Sequence, residues 1–196
     1  MGTRDAINVN ALIAAASKNA GDDGLPPVHL WHPEHCADMD IEILRDGTWL
    51  HDGQRITRHS LVKLFSTILR KDDDGGIYLV TPVEKVRVRV ACAPFIAITL
   101  DVQNEGEKQV LYFTTNVGDV VRAGPDRPIR VKTDPKTLEP TPFVMVRHGL
   151  KALINRAVFY QMVELAVERD LGDGPQLGVW SDRAFFALGP PGVHHD

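Results

Sequence analysis

The sequence predicts an α+β protein of two tandem domains related by duplication, each an antiparallel sheet with one main helix. Three observations carry that expectation. Short β-branched and aromatic runs are bounded by Asp-Gly, Gly or Pro, as strands of antiparallel sheets are. Each half also holds one stretch with apolar residues at helical spacing. Finally, Ile56-Thr57-Arg58-His59-Ser60-Leu61-Val62-Lys63-Leu64-Phe65 is echoed by Met145-Val146-Arg147-His148-Gly149-Leu150-Lys151-Ala152-Leu153-Ile154. Arg-His, a small residue and Leu-x-x-Leu recur in the same order, 89 residues on, which reads as an internal repeat.

Taken in order, residues 8–19 predict a short amphipathic helix capped by Asn8 or Asn10. Gly21-Asp22-Asp23-Gly24-Leu25-Pro26-Pro27 breaks regular structure and reads as a linker. The expected divisions are 1–27, 28–95 and 96–196. Ile41 and Ile43, Asp46-Gly47, Thr48 to His51 and Asp52-Gly53 spell hairpins. Leu61, Leu64, Phe65, Ile68 and Leu69 then fall on one helical face, which ends in Lys71 to Gly76. Strands are expected at Ile77–Val80, at Val86–Val90 with Lys85, Arg87 and Arg89 on a basic face, at Phe95–Val102 and at Val110–Thr114. Residues 117–142 are Pro- and Gly-rich, with a strand at Ile129–Val131. Leu150, Leu153, Ile154, Ala157 and Val158 repeat the helical spacing and predict a second helix starting at Arg147-His148 and running through Ala166. Leu177–Trp180 and Ala184–Leu188 close the pattern as strands.

Composition bounds the function. A net charge of -4 argues against a general affinity for nucleic acid or anionic membrane. Cys36 and Cys92 make no disulfide framework and favour a reducing compartment. Ala11 to Ala16 is too short for a signal h-region, Ala6 stands where myristoylation needs Ser or Thr, and no apolar run approaches the ~20 residues of a membrane span. A cytoplasmic protein without membrane insertion is expected.

Several of these residues also carry a family likeness. Asp46-Gly47-x-Trp49, Ile56-x-Arg58, Leu64-Phe65-Ser66-x-Ile68-Leu69, Tyr78-Leu79-Val80-Thr81-Pro82-Val83-Glu84-Lys85 and Ala93-Pro94-Phe95 resemble the first half of DUF1285, a bacterial domain-of-unknown-function family. Thr114-Thr115-Asn116-Val117-Gly118-Asp119, Pro142-Phe143-Val144-x-Val146-Arg147-x-Gly149-Leu150 and Trp180-Ser181 are similar to its second half. The chain departs from that pattern at Cys92, where the family has an acidic residue, and at Asp182-Arg183, in place of a more glycine-like turn. The resemblance implies no established activity. It implies two tandem domains, the second loosely pleckstrin-homology-like, with a nucleotide-type ligand at their interface and a role in signal transduction.

For chemistry, His29-x-x-His32-x-x-His35-Cys36 with Asp38 and Asp40 is the most metal-like cluster, but its spacing matches no standard set. His194-His195 is a poorer one. No metal and no cofactor are assigned. Nucleophile elbows, phosphate-binding loops and Cys–His signatures are missing, so no catalytic residue is named and Cys92 reads as a structural thiol. Anion binding is the better candidate. Arg58 and Arg147 stand at the two expected helix starts, where free N–H groups favour a negative partner; the alternative is a salt bridge to Glu84, Asp119 or another acid. Lys85 adds local basicity. Thr81, Thr115 and Asn116 would orient a polar ligand or else form turns, and Trp49, Tyr78 and Trp180 would stack on a base or else fill the core. His59 and His148 read as packing residues.

The leading expectation is thus a non-enzymatic module binding a small anionic or nucleotide-like ligand through Arg58, Arg147, Thr81, Glu84, Lys85, Thr115, Asn116 and Trp49. Its rivals are a hydrolase with a metal held by His29, His32, His35 or Asp38, and a scaffold that binds a protein partner through sheet edges or the N-terminal helix.

Overall fold

The computed structural model describes residues 14, 25–172 and 174–190. Apart from Ala14, the helix expected over 8–19 falls outside the described residues, as does His194-His195. The chain divides into two compact units, Met1–Ala93 and Pro94–Asp196.

In the first unit β1 (His35–Ile43), β2 (Trp49–His51) and β3 (Gln54–Arg55) form one antiparallel meander, and β4 (Leu69–Lys71), β5 (Ile77–Val80) and β6 (Glu84–Val90) form another. The two join through β1 and β6, which run parallel, so the order is β3-β2-β1-β6-β5-β4. Asp52 and Gly53 both have positive φ, 49° and 73°, as a two-residue hairpin turn demands. Helix α1 (His59–Thr67) lies between β3 and β4 and buries Val62 and Phe65, with the Phe65 ring 6.3 Å from that of Trp49. It stops two residues short of Leu69. Ser66 and Thr67 donate their hydroxyls to the carbonyls of Lys63 and Leu64, a local competition that unwinds helix ends, and Leu69 becomes a buried strand residue.

The second unit repeats the sheet plan. Meanders β7 (Phe95–Gln103), β8 (Val110–Thr115), β9 (Val120–Arg122) and β10 (Ile129–Thr133), β11 (Pro140–Arg147), β12 (Leu150–Ile154) join through parallel β7 and β12, in the order β10-β11-β12-β7-β8-β9. Helix α2 (Arg156–Glu164) follows, packing on β7, and a third sheet is made of β13 (Val167–Asp170), β14 (Pro175–Ser181) and β15 (Ala184–Gly189). Two α-helices of any length thus accompany two six-stranded sheets among the described residues.

Two expectations need correction. Neither large sheet is wholly antiparallel, since each has a parallel pair at its centre. And no helix starts at Arg147. Arg147 ends β11, and His148-Gly149, with φ of 43° and 78°, is a two-residue turn into β12. Leu150, Ala152 and Ile154 are buried with period two; the helical spacing read across this stretch joins a strand to the Val158 and Met162 face of α2.

Candidate functional site: a cavity lined by arginines

The strands flanking the link 123–128, β9 and β10, lie at opposite edges of their sheet. Laid flat, six strands would separate those edges by ~24 Å. The link is folded back on itself by a pair of hydrogen bonds, Gly124 N–H to the Arg127 carbonyl (3.2 Å) and Arg127 N–H to the Gly124 carbonyl (3.1 Å). It cannot span that distance, so the sheet curls. Curling brings the end of β9 beside the β11–β12 turn, and a cavity of about 380 Å³ opens there. Arg122, Gly124, Asp126, Arg127, Met145, Val146, Arg147, His148 and Asp182 line it.

Each wall has a local cause. Asp182 and Arg183, at φ of 50° and 64°, make the two-residue turn between β14 and β15. Ser181, fully buried, fixes that turn against β8 and β9: its hydroxyl donates to the Ala123 carbonyl at 2.7 Å and accepts from Leu111 N–H at 2.9 Å. Asp182 then accepts from Arg122 at 2.6 Å, a bond that raises the already high Arg122 pKa. Gly124 packs beside it: a Cβ there would lie 2.9 Å from the Asp182 carboxylate oxygen and would push that side chain aside. Arg147 donates to Asp119 at 2.6 Å and its guanidinium sits 4.9 Å from the Phe95 ring centre. Arg127 and Asp126 are exposed and enter no ion pair among the described residues.

Of the residues singled out from sequence, Arg147 reaches this cavity, paired with Asp119. Arg58 lies in the first unit, exposed, and caps α1 without a side-chain bond. Thr81 is buried and holds the turn before β6, donating to the Glu84 carbonyl and accepting from the Glu84 N–H. Glu84 opens β6 and serves that turn through its backbone. Lys85 bonds Asp72 at 2.8 Å and covers the Tyr78 ring. On the same basic face Arg89 is held by Asp40 and Glu42, while Arg87 is exposed. Thr115 accepts from Asp119 N–H and Asn116 from Ile96 N–H, so both shape the loop after β8. Trp49 is 1 % exposed and belongs to the core, as does Tyr78. Cys92 is half-buried, accepting from Arg45 at 3.6 Å. His59 and His148 are exposed rather than packed, and His148 lines the cavity. No group of three His, Cys, Asp or Glu side chains among the described residues is placed to hold a metal ion, so the cluster around His29 does not converge.

Arg122, Asp126, Arg127 and Asp182 were not legible as a site. Gly124-Pro125-Asp126-Arg127-Pro128 reads as a turn, which it is. What makes it a wall is the curl of the sheet, and only the six-residue limit on the link signals that.

Family models described as "Protein of unknown function (DUF1285), C-terminal domain" and "Domain of unknown function (DUF1285), N-terminal domain" match residues 94–188 and 26–93. A crystal structure of a DUF1285 family protein from Silicibacter pomeroyi DSS-3 is similar at 47% identity and a TM-score of 0.80, over 92% of this chain and 95% of that one. A second, from Shewanella baltica OS155, is similar at 26% identity and a TM-score of 0.50, over 63% of this chain and 90% of that one. No curated protein matches the chain.

Proposed function

We propose that this chain, which belongs to the DUF1285 family of unknown function, is a ligand-binding or signalling module that takes a small anionic, nucleotide-like ligand in the cavity of its second unit. The observation that carries this reading is the convergence of Arg122, Arg127, Arg147 and His148 on one opening. Its volume falls in the range of small-ligand sites. Guanidinium groups offer paired donors that match carboxylate and phosphate oxygens. Asp119 and Phe95 hold Arg147 in place before any ligand arrives, which lowers the ordering cost of binding.

The curled sheet favours the likeness of this unit to a pleckstrin-homology sheet, and the shared strand order favours duplication of the two units. No described helix is long and apolar enough to cross a membrane; with two free cysteines, a cytoplasmic setting is the natural one.

Titration calorimetry with AMP tests the reading. Arg127→Ala should weaken binding about tenfold or more, the worth of a charge-assisted hydrogen bond. Its thermal unfolding should not move, because Arg127 is exposed and holds no ion pair among the described residues. Unchanged AMP affinity in both Arg127→Ala and Arg122→Ala would overturn the proposal.

A further inference from the structure

The charge of the cavity walls narrows what fits. Arg122 is neutralised by Asp182 and Arg147 by Asp119, each at 2.6 Å. The remaining lining charges are Arg127 and its neighbour Asp126, both exposed and without an ion pair among the described residues. With Asp119, which backs Arg147 from outside the lining, three guanidinium groups are matched by three carboxylates, and the walls together with their paired acids carry no net formal charge. A polyanion would meet too little positive charge here and would be repelled by Asp126. A ligand with one acidic and one basic group would find a partner for each.

We infer that the cavity is built for an amphoteric ligand, one that places an anionic group on Arg127 and a cationic or N–H donor group on the Asp126 carboxylate. This deepens the proposed function and rests on it. Asp126 is an acceptor only, so it rewards donors on the ligand, and a hydrogen bond between two charged groups is among the stronger ones available. Arg122 and Arg147, held by their own acids, would shape the opening and leave Arg127 to take the ligand's negative group.

Three chemically matched probes separate the possibilities by calorimetry on the full chain: 3-aminopropyl phosphate, propyl phosphate and pyrophosphate. The first two differ only in the ammonium group. 3-Aminopropyl phosphate should bind about tenfold tighter than propyl phosphate. Asp126→Asn should erase that advantage while leaving propyl phosphate affinity equal or improved, and Arg127→Ala should weaken both monophosphates. The Asp126→Asn chain should unfold at the wild-type temperature, since its side chain is exposed. Equal binding of the two monophosphates, tighter binding of pyrophosphate, or an ammonium advantage that survives Asp126→Asn would overturn the inference and leave anion binding standing. Failure of the wild-type chain to bind any of the three would overturn the inference, and failure to bind AMP as well would remove both readings together.

Discussion

The two large sheets follow one path and differ in what connects their third and fourth strands. In each, two three-stranded meanders meet at a parallel central pair, β1 with β6 and β7 with β12. In the first unit the connection carries α1, whose Phe65 and Val62 are buried beside Trp49. In the second it is the tight link 123–128, and the helix comes after the sixth strand instead. Charges follow the same division. Asp72 of the first unit gathers Arg70 and Lys85, while the second unit leaves Arg127 facing a cavity. One sheet plan yields a packed body where a helix fills the connection and a cavity wall where it does not.

The largest effect that would break this comparison lies in the packed body. Trp49→Ala should cost about 3–5 kcal/mol, as removal of a large buried aromatic does, read by urea denaturation of the full chain. AMP binding by the folded fraction should persist. A loss under ~1 kcal/mol with AMP binding abolished would make Trp49 a ligand contact, and the two units would no longer divide packing from binding.

The Asp72 cluster comes next. Burial alone would raise the Asp72 carboxyl, but hydrogen bonds from Arg70 and Lys85 outweigh it and hold the group below its ordinary 3.8. A depressed carboxyl contributes stability in full above pH 3.8, and the contribution fades as pH falls through the lowered folded value. Asp72→Asn should therefore cost about 1–3 kcal/mol at neutral pH, with the gap to wild type closing at the acid end of a pH series. A gap that stays constant into acid would show that packing, and not charge, sets the loss.

Strands, hairpins and the two-part organisation were legible because Asp-Gly turns and period-two burial are local signals: Val86 and Val88 are buried while Arg87 and Arg89 are exposed. The Arg-His echo is out of register with the strands. Arg58-His59 starts a helix and Arg147-His148 closes a strand, because Gly149 at φ 78° allows a turn that Ser60 of the first copy does not form. The sheets correspond strand by strand, β1 with β7 through β6 with β12, and Arg58 has no counterpart in Arg147. The Arg147–Asp119 pair was among the alternatives read from sequence, whereas the cavity depends on three links far apart in the chain, and no local pattern announces that they meet.

The smallest effects compare the two helix starts. Asn155 precedes α2 with extended backbone, φ -66° and ψ 162°, and its side chain accepts the Val158 N–H at 2.8 Å. Arg58 precedes α1 at φ -77° and ψ 101° and offers no acceptor, leaving first-turn N–H groups without a side-chain cap. Asn155→Ala should lower stability by about 1 kcal/mol, the usual worth of a cap. Arg58→Asp should raise it by about 0.5–1 kcal/mol, because a carboxylate accepts those N–H groups and suits the positive helix end. Opposite shifts in unfolding temperature would show that the first unit spends nothing on Arg58. If Arg58→Asp instead destabilises the chain, or weakens AMP binding as Arg127→Ala does, then Arg58 serves the ligand, and binding belongs to both units.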